Sequence, residues 1–154
     1  MKVTRNEIEN VLALLERPPQ RITSALMNTQ KDVYFKPNQK EWSAHETLMH
    51  LRVCADVWGD TIHAMLTQDK PVIAEIHPNV QLKNGNYREQ EFVTSFRVFA
   101  DQREKLLQTL KNIHFEDWSR SAMIGGRQHT VFSQARRMAL HEDEHCAQIE
   151  ELLG

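Results

Sequence analysis

Two histidines near the end of the chain have the spacing of a metal-binding pair. His141 and His145 are four residues apart, so on a helix they lie one above the other on the same face. Two imidazoles in this arrangement can bind one ion at about 2.0–2.1 Å per bond. A chain with eight histidines in 154 residues contains roughly 0.4 such pairs by chance, so the spacing alone is a weak indication. A metal site needs a third ligand from elsewhere in the chain.

The pair is predicted to face the core of the protein. The last helix is expected to begin after the N-cap Thr130 and to run to Leu153. One stripe of this helix, at steps of four and three, consists of Gln134, Met138, His141, His145, Gln148 and Leu152. Apolar residues within the stripe indicate that it is the buried side. Gln148, one turn after His145, is predicted either to line a substrate pocket or to orient a ligand.

His50 is predicted to be the third ligand. Ser43 and Glu46 form a capping box that begins a second helix, and His50 lies at the edge of the apolar stripe of that helix. At 1.5 Å per residue, His50 is roughly 10 Å from the start of its helix, and the pair is roughly 10–16 Å from the end of the last helix. The three rings therefore meet at one height if the two helices are antiparallel.

Four long amphipathic helices are predicted to position these residues. The first begins near Thr4 and is interrupted or kinked at Pro18-Pro19. The second runs to about Leu66, and the third runs to about Lys111, with Asn86 as a candidate cap for its start. Between the third and fourth helices, residues 123–131 are expected to form a short hairpin.

The connection between the second and third helices indicates the topology of the bundle. Residues 67–86 show no sustained period, and a connection of about 20 residues is far longer than the usual 2–8. Such a connection lets helices 2 and 3 run parallel, which makes helices 2 and 4 antiparallel, as the histidines require. The predicted fold class is all-α, a four-helix bundle with up-down-down-up topology and a long crossover between helices 2 and 3.

Composition excludes several other classes of protein. The 19 basic and 21 acidic residues are interspersed, which argues against a nucleic-acid-binding face. No secretory signal and no apolar run of about 18 residues is present. We therefore expect one cytoplasmic domain covering residues 1–154, without membrane partners. Its two cysteines, Cys54 and Cys146, are expected to be reduced, buried thiols, although Cys54 could act as a fourth ligand one turn after His50.

Two segments of the chain carry a resemblance to a known family. They are Trp42-Ser43-x-x-Glu46-x-x-x-His50-Leu51 and His141-x-x-x-His145-x-x-Gln148-Ile149. With the four-helix layout, they resemble the DinB-like superfamily of metal-binding bundles. The resemblance implies an up-down-down-up bundle, a homodimer, and one divalent ion, often zinc or nickel, held by His50, His141 and His145. It also implies activity as a metal-dependent hydrolase or as an S-transferase that uses a low-molecular-weight thiol.

Three histidine ligands leave one coordination position open, which is typical of a catalytic site. An ion there can activate water or a thiol at neutral pH. Glu142, within His141-Glu142-x-x-His145, is a candidate general base; the alternatives are a surface carboxylate or a partner of a ligand. A zinc-protease role is disfavoured because no histidine follows His145. The first hypothesis is a metalloenzyme with a small-molecule substrate. The second is a non-catalytic metal-binding dimer that acts as a sensor or interaction protein, and the third is a bundle whose histidines only pack.

Overall fold

The computed structural model describes residues 2–84 and 87–154. Within them the chain forms, in order, α1 (Arg5–Met27), α2 (Ala44–Thr67), β1 (Val72–Ile73), α3 (Pro78–Asn84), α4 (Phe92–Asn112), β2 (Ser121–Ile124), β3 (Arg127–Thr130) and α5 (Val131–Leu153). Short 3₁₀ turns cover Tyr87–Glu89 and Phe115–Ser119. The predicted four long helices are α1, α2, α4 and α5. None of the described helices has the length and apolar character needed to cross a membrane.

Two apolar clusters show the direction of each long helix. One joins the first halves of α1 and α5 to the second halves of α2 and α4, through Ile8, Val11, Ile62, Met65, Leu110, Val131 and Ala135. The other joins the remaining halves, through Ile22, Leu48, Leu51, Phe92, Phe99, Ile149 and Leu153. Hence α1 and α5 point in one direction, and α2 and α4 in the other. The predicted up-down-down-up topology with a long crossover is confirmed, with α4 as the third long helix.

Capping boxes begin three of the four long helices. The side chains of Thr4, Ser43 and Thr130 each accept a hydrogen bond from the backbone three residues later. These bonds satisfy amide groups that have no partner inside the helix. The predictions for Ser43 and Thr130 are confirmed. The N-cap of α4 is Glu91, which makes no side-chain capping bond; the predicted cap Asn86 lies outside the described residues.

The α1 helix continues through Pro18 and Pro19 and is not interrupted there. Pro19 has no N–H, so the carbonyl of Leu15 loses its helical partner. Arg103 of α4 replaces that partner, because its Nη1 donates a hydrogen bond to the Leu15 oxygen at 3.0 Å. A side chain that is distant in sequence therefore compensates for the proline.

A small sheet packs beside the bundle. The predicted hairpin is present as β2 and β3, which are antiparallel and joined at Gly125 and Gly126. Both glycines have positive φ, at 54° and 81°, a conformation that glycine adopts without steric cost. The two-residue strand β1 adds in parallel to β2 and was not predicted. Because β1 and α3 divide the crossover into short ordered pieces, the crossover is more structured than its sequence suggests.

Candidate metal centre

The three predicted histidines converge where α2 packs against α5. The ring centroid of His50 lies 4.9 Å from that of His141 and 4.9 Å from that of His145. The centroids of His141 and His145 are 4.4 Å apart. This convergence follows from the antiparallel arrangement, which brings the early part of α2 to the level of the late part of α5.

Two of these rings turn the same nitrogen toward each other. The Nε2 atoms of His50 and His141 are 2.9 Å apart. Both atoms could bind one ion at about 2.0–2.1 Å with an angle of about 90° between the two bonds. Within residues 2–84 and 87–154, the group of ligand atoms that all lie within 4.8 Å of one another comes from His50, Cys54 and His141. The predicted ligand His145 is not a member of this group, although its ring centroid lies 4.4 Å from that of His141.

Gln148 fixes the orientation of the His145 ring. The Nδ1 of His145 lies 2.7 Å from the Oε1 of Gln148. When Nδ1–H donates to this oxygen, the proton is held on Nδ1 and the lone pair of Nε2 is available to an ion. This hydrogen bond corresponds to one of the two roles predicted for Gln148, namely orienting a ligand.

The protonation of the rings suits a metal site. Burial lowers the pKa of His50 to about 4, with a smaller contribution from His145. Burial lowers the pKa of His141 to about 3, assisted by the charges of His145, His50 and Arg137. Both rings are therefore neutral at pH 7, which is the form that coordinates an ion. The residues present fit a divalent cation with imidazole ligands.

Cys54 belongs to the same cluster. Its Sγ lies 3.7 Å from the Nε2 of His50, and the residue is 1% exposed. Burial raises the pKa of its thiol to about 12, so in the absence of an ion it is protonated. The sequence interpretation favoured a packing thiol here. The spacing His50-x-x-x-Cys54 was the available signal, because it places both side chains on one face of α2.

Aromatic side chains surround the histidines. The Trp58 ring meets that of His141 edge to face at 4.9 Å, and the guanidinium of Arg137 covers Trp58. On the other side, the Trp42 ring lies 5.0 Å from that of His50 and 6.2 Å from that of His145. Trp42, which directly precedes the N-cap Ser43 of α2, therefore forms a wall of the histidine site.

Glu142 lies inside the bundle, in an ion pair with Arg103. The two residues are 1% and 2% exposed, and Arg103 donates to both carboxylate oxygens at 2.5 Å. Burial raises the pKa of Glu142, and the charge and hydrogen bonds of Arg103 oppose that rise. The carboxylate predicted as a general base is thus occupied by two guanidinium hydrogen bonds. Arg103 itself was not identified from the sequence.

The buried stripe of α5 is displaced from the predicted one. Its buried residues include Met138, Ala139, Glu142, Cys146, Ile149 and Leu153, whereas His141 and His145 are half-buried and Gln148 is exposed. The displacement arises because α5 packs against both α1 and α2, so its buried side points between them. The histidines lie at the edge that faces α2, next to solvent.

A cavity of about 900 Å³ opens beside His145. It lies between the loop that precedes α2 and the last turns of α5. Its walls include the apolar side chains of Phe35, Trp42 and Leu152. Charged residues of both signs also line it, namely Lys31, Lys40, Asp32, Glu41 and Glu151. Gln148 also lines this cavity, so both predicted positions of Gln148, at a ligand and at a pocket, are present.

Comparison with known proteins shows similarity to one family model and to solved structures. A family model described as the DinB superfamily matches residues 6–149. Among solved structures, YfiT from Bacillus subtilis matches with a TM-score of 0.83 and 14% identity, over 98% of this chain and 88% of YfiT. YfiT is described as a probable metal-dependent hydrolase with an unusual four-helix bundle topology. At this identity the match shows a shared fold. No curated protein sequence matches the chain.

Proposed function

The chain belongs to the DinB superfamily, and on that premise we propose that it is a metal-dependent enzyme acting on a small molecule. The ion is held by His50, His141 and His145. The observation that carries the proposal is the 2.9 Å approach of two Nε2 atoms. At this distance one neutral imidazole can donate its Nε2–H to the other. When both protons lie on Nδ1, the same approach lets both Nε2 atoms bind one cation. The pKa values of about 4 and 3 keep both rings neutral at pH 7, which is the form that binds an ion.

A divalent ion at this position supplies Lewis acidity, which generates a nucleophile from water or from a thiol at neutral pH. The protein's own residues hold the ion and shape its surroundings. Gln148 keeps the His145 proton on Nδ1. Trp42 and Trp58 pack against the rings of His50 and His141, which limits how far these rings can turn.

The cavity beside His145 suits an amphipathic small molecule. Phe35, Trp42 and Leu152 offer apolar contact, and the lining also carries side chains of both charges. Its volume of about 900 Å³ is within the ~300–1,000 Å³ typical of small-molecule sites. The mixed charges do not select an anionic or a cationic substrate. Both hydrolysis and thiol transfer are therefore reactions to test.

The role of Glu142 in such a reaction stays a prediction. Both of its carboxylate oxygens bind Arg103, and a buried ion pair of this kind favours a structural role. The proposal therefore does not depend on a protein residue that removes the proton from the attacking water or thiol. A substrate or solvent molecule in the cavity could accept that proton.

A non-catalytic metal-binding bundle is the second candidate. The specific observation in its favour is the position of Cys54, 3.7 Å from His50 Nε2. If the thiol joins the three histidines, the ion has four protein ligands, as structural sites do. A sensor or a dimerising protein would then be the more fitting function.

Metal analysis and turnover assays distinguish these functions. We expect one divalent ion per chain in protein purified without chelators, and loss of that ion in His50→Ala. His63→Ala is the matched control, because His63 is exposed on the same helix. Trace metal at the same level in both variants would show that the histidines only pack. Stoichiometric metal without turnover of esters, or of thiols with electrophiles, would favour the non-catalytic bundle.

A further inference from the structure

Cys54 is placed differently from an ordinary buried thiol. Its Sγ lies 3.7 Å from Nε2 and 4.0 Å from Nδ1 of His50. The sulfur and the ligand nitrogens of His50 and His141 all lie within 4.8 Å of one another. Cys54 lies on the interior side of α2, whereas His145 borders the cavity. The thiol therefore approaches the histidines from the side opposite to solvent.

The distance from sulfur to nitrogen agrees with shared coordination. A tetrahedral ion with an M–S bond of about 2.3 Å and an M–N bond of about 2.0–2.1 Å separates the two ligand atoms by about 3.6 Å. The observed separation is 3.7 Å. The sulfur of Cys54 and the Nε2 of His50 are thus at a separation that allows both to bind the same ion.

Cys146 provides an internal comparison. It is as buried as Cys54, and burial raises the pKa of its thiol to about 12 as well. Cys146 packs among apolar side chains, with Ile149 and Leu153 in the same cluster. Cys54 also belongs to an apolar cluster, with Ile62 and Met138. In addition, its sulfur lies within 4.8 Å of ligand nitrogens of His50 and His141.

We propose that Cys54 is a protein ligand of the bound ion, together with His50 and His141. The inference rests on the proposed metal site and adds an interior sulfur to it. When the ion binds, the S–H bond breaks, the proton passes to solvent, and the sulfur electron pair forms the bond to the ion. No atom changes oxidation state.

The sulfur ligand has a consequence for the choice of ion. Thiolate ligands select soft or borderline ions such as zinc, cobalt and cadmium over manganese and magnesium. The fourth coordination position then lies on the side of the cavity that His145 borders. With His145 bound there, the site is closed, as in the non-catalytic bundle. A small molecule that displaces His145 would reach the ion from the cavity.

Cobalt substitution tests the proposal directly. Metal-free protein is titrated with Co²⁺, and absorption from sulfur-to-cobalt charge transfer is recorded in the near ultraviolet. We expect this band in the wild type and in Cys146→Ser, and its loss in Cys54→Ser. We also expect Cys54→Ser to weaken Zn²⁺ binding by about 10-fold or more, since even groups outside the ligand set are worth about 10–100-fold. Binding of Mn²⁺ should change much less.

A second measurement keeps the test valid if Cys54→Ser fails to fold. At about pH 8 the imidazoles of His50 and His141 are already neutral, but a water bound to Zn²⁺ has a pKa of about 7 and would also release a proton. Cd²⁺ acidifies its bound water less, so proton release on binding Cd²⁺ reports the thiol. We expect about one proton per ion from the wild type. Stoichiometric cobalt without the charge-transfer band, or cadmium binding without proton release, overturns the sulfur ligand and leaves the histidine site intact. Absence of stoichiometric metal overturns the histidine site and the proposed function together.

Discussion

At the scale of single residues, the hydrogen bond between Gln148 and His145 gives a direct prediction. Gln148→Leu removes the acceptor that holds the proton on Nδ1, so His145 is free to adopt the other tautomer and to rotate. We expect metal affinity to fall by about 10–100-fold, as for other partners of ligand histidines. Competition with a chromophoric chelator measures this change.

A conservative variant of Gln148 shows whether metal affinity depends on the hydrogen bond or only on the size of the side chain. Gln148→Glu retains an oxygen acceptor and should restore most of the affinity. Glu144→Gln, an exposed change on the same helix, serves as the control and should have no effect. Equal affinity in wild type and Gln148→Leu would show that the hydrogen bond does not orient the ligand.

The pKa values of His50 and His141 predict how acid affects the metal-free protein. They lie near 4 and 3 in the folded chain, against 6.5 for an ordinary histidine. Between these values the unfolded chain binds more protons than the folded one, so the free energy of unfolding falls as the pH falls. The stabilisation is complete above about pH 6.5 and is lost progressively towards pH 3–4.

Urea unfolding of chelator-treated protein at several pH values measures this dependence. The double variant His50→Gln/His141→Gln should show a shallower fall in the urea midpoint between pH 7 and pH 4.5. A fall as steep as that of the wild type would mean that other groups cause the acid sensitivity.

The candidate ligand residues differ in how far the sequence predicted that they lie together. His141 and His145 were proposed from their spacing, and His50 from its height on its helix. Cys54 was considered as a fourth ligand but was expected to be a packing thiol. Trp42 was not assigned to the site, because a tryptophan before a cap is more often a packing residue. Only contacts across the interface between helices distinguish these roles.

At the scale of helices, Arg103 on α4 and Glu142 on α5 form the polar centre of the bundle. Arg103→Met leaves a buried carboxylate without its partner, which should lower the free energy of unfolding by about 3–5 kcal/mol. The double variant Arg103→Met/Glu142→Met leaves no unpaired charge, and we expect it to be more stable than Arg103→Met alone. Urea unfolding of the single and double variants measures both effects.

This interpretation is contradicted if the stability losses of the two single variants are additive. If the double variant loses the sum of the two single losses, the residues do not act as a pair. If Arg103→Met lowers the free energy of unfolding by less than about 1 kcal/mol, the ion pair contributes no more to stability than an exposed ion pair does.

The helices themselves were mostly predictable from local signals. Capping boxes marked the starts of α2 and α5, and three- and four-residue steps marked their lengths. The continuity of α1 was not predictable, because Arg103, which compensates for Pro19, is 84 positions away in the chain. The short α3 and β1 were also missed, since elements of seven and two residues are too short to show a period.

At the scale of the whole molecule, an ion bound by His50 and His141 links α2 to α5. Because unfolding separates these ligands, the ion should stabilise the folded state by about 2.7 kcal/mol at a concentration 100 times its Kd. The thermal midpoint should rise on adding zinc to wild type and to His63→Ala, and stay constant in His50→Ala. Differential scanning fluorimetry measures it. If zinc raises the thermal midpoint of His50→Ala as much as that of the wild type, the stabilising ion binds at another site.

The topology was predictable because two independent features agreed. The length of the crossover allowed parallel α2 and α4, and the heights of the histidines required antiparallel α2 and α5. The homodimer implied by the resemblance stays a prediction. Sedimentation equilibrium should give twice the mass of the 18.0 kDa chain; the mass of one chain would contradict it.

The bond from Arg103 to the Leu15 carbonyl also has an evolutionary consequence. A proline at position 19 is tolerated because a guanidinium from another helix reaches the vacant oxygen, and that guanidinium is tolerated because Glu142 balances its charge. These three positions are therefore expected to covary among descendants of a common ancestor. If a lineage regains a residue with a backbone N–H at position 19, aliphatic side chains can replace the ion pair. If a lineage keeps the proline, all three positions stay constrained.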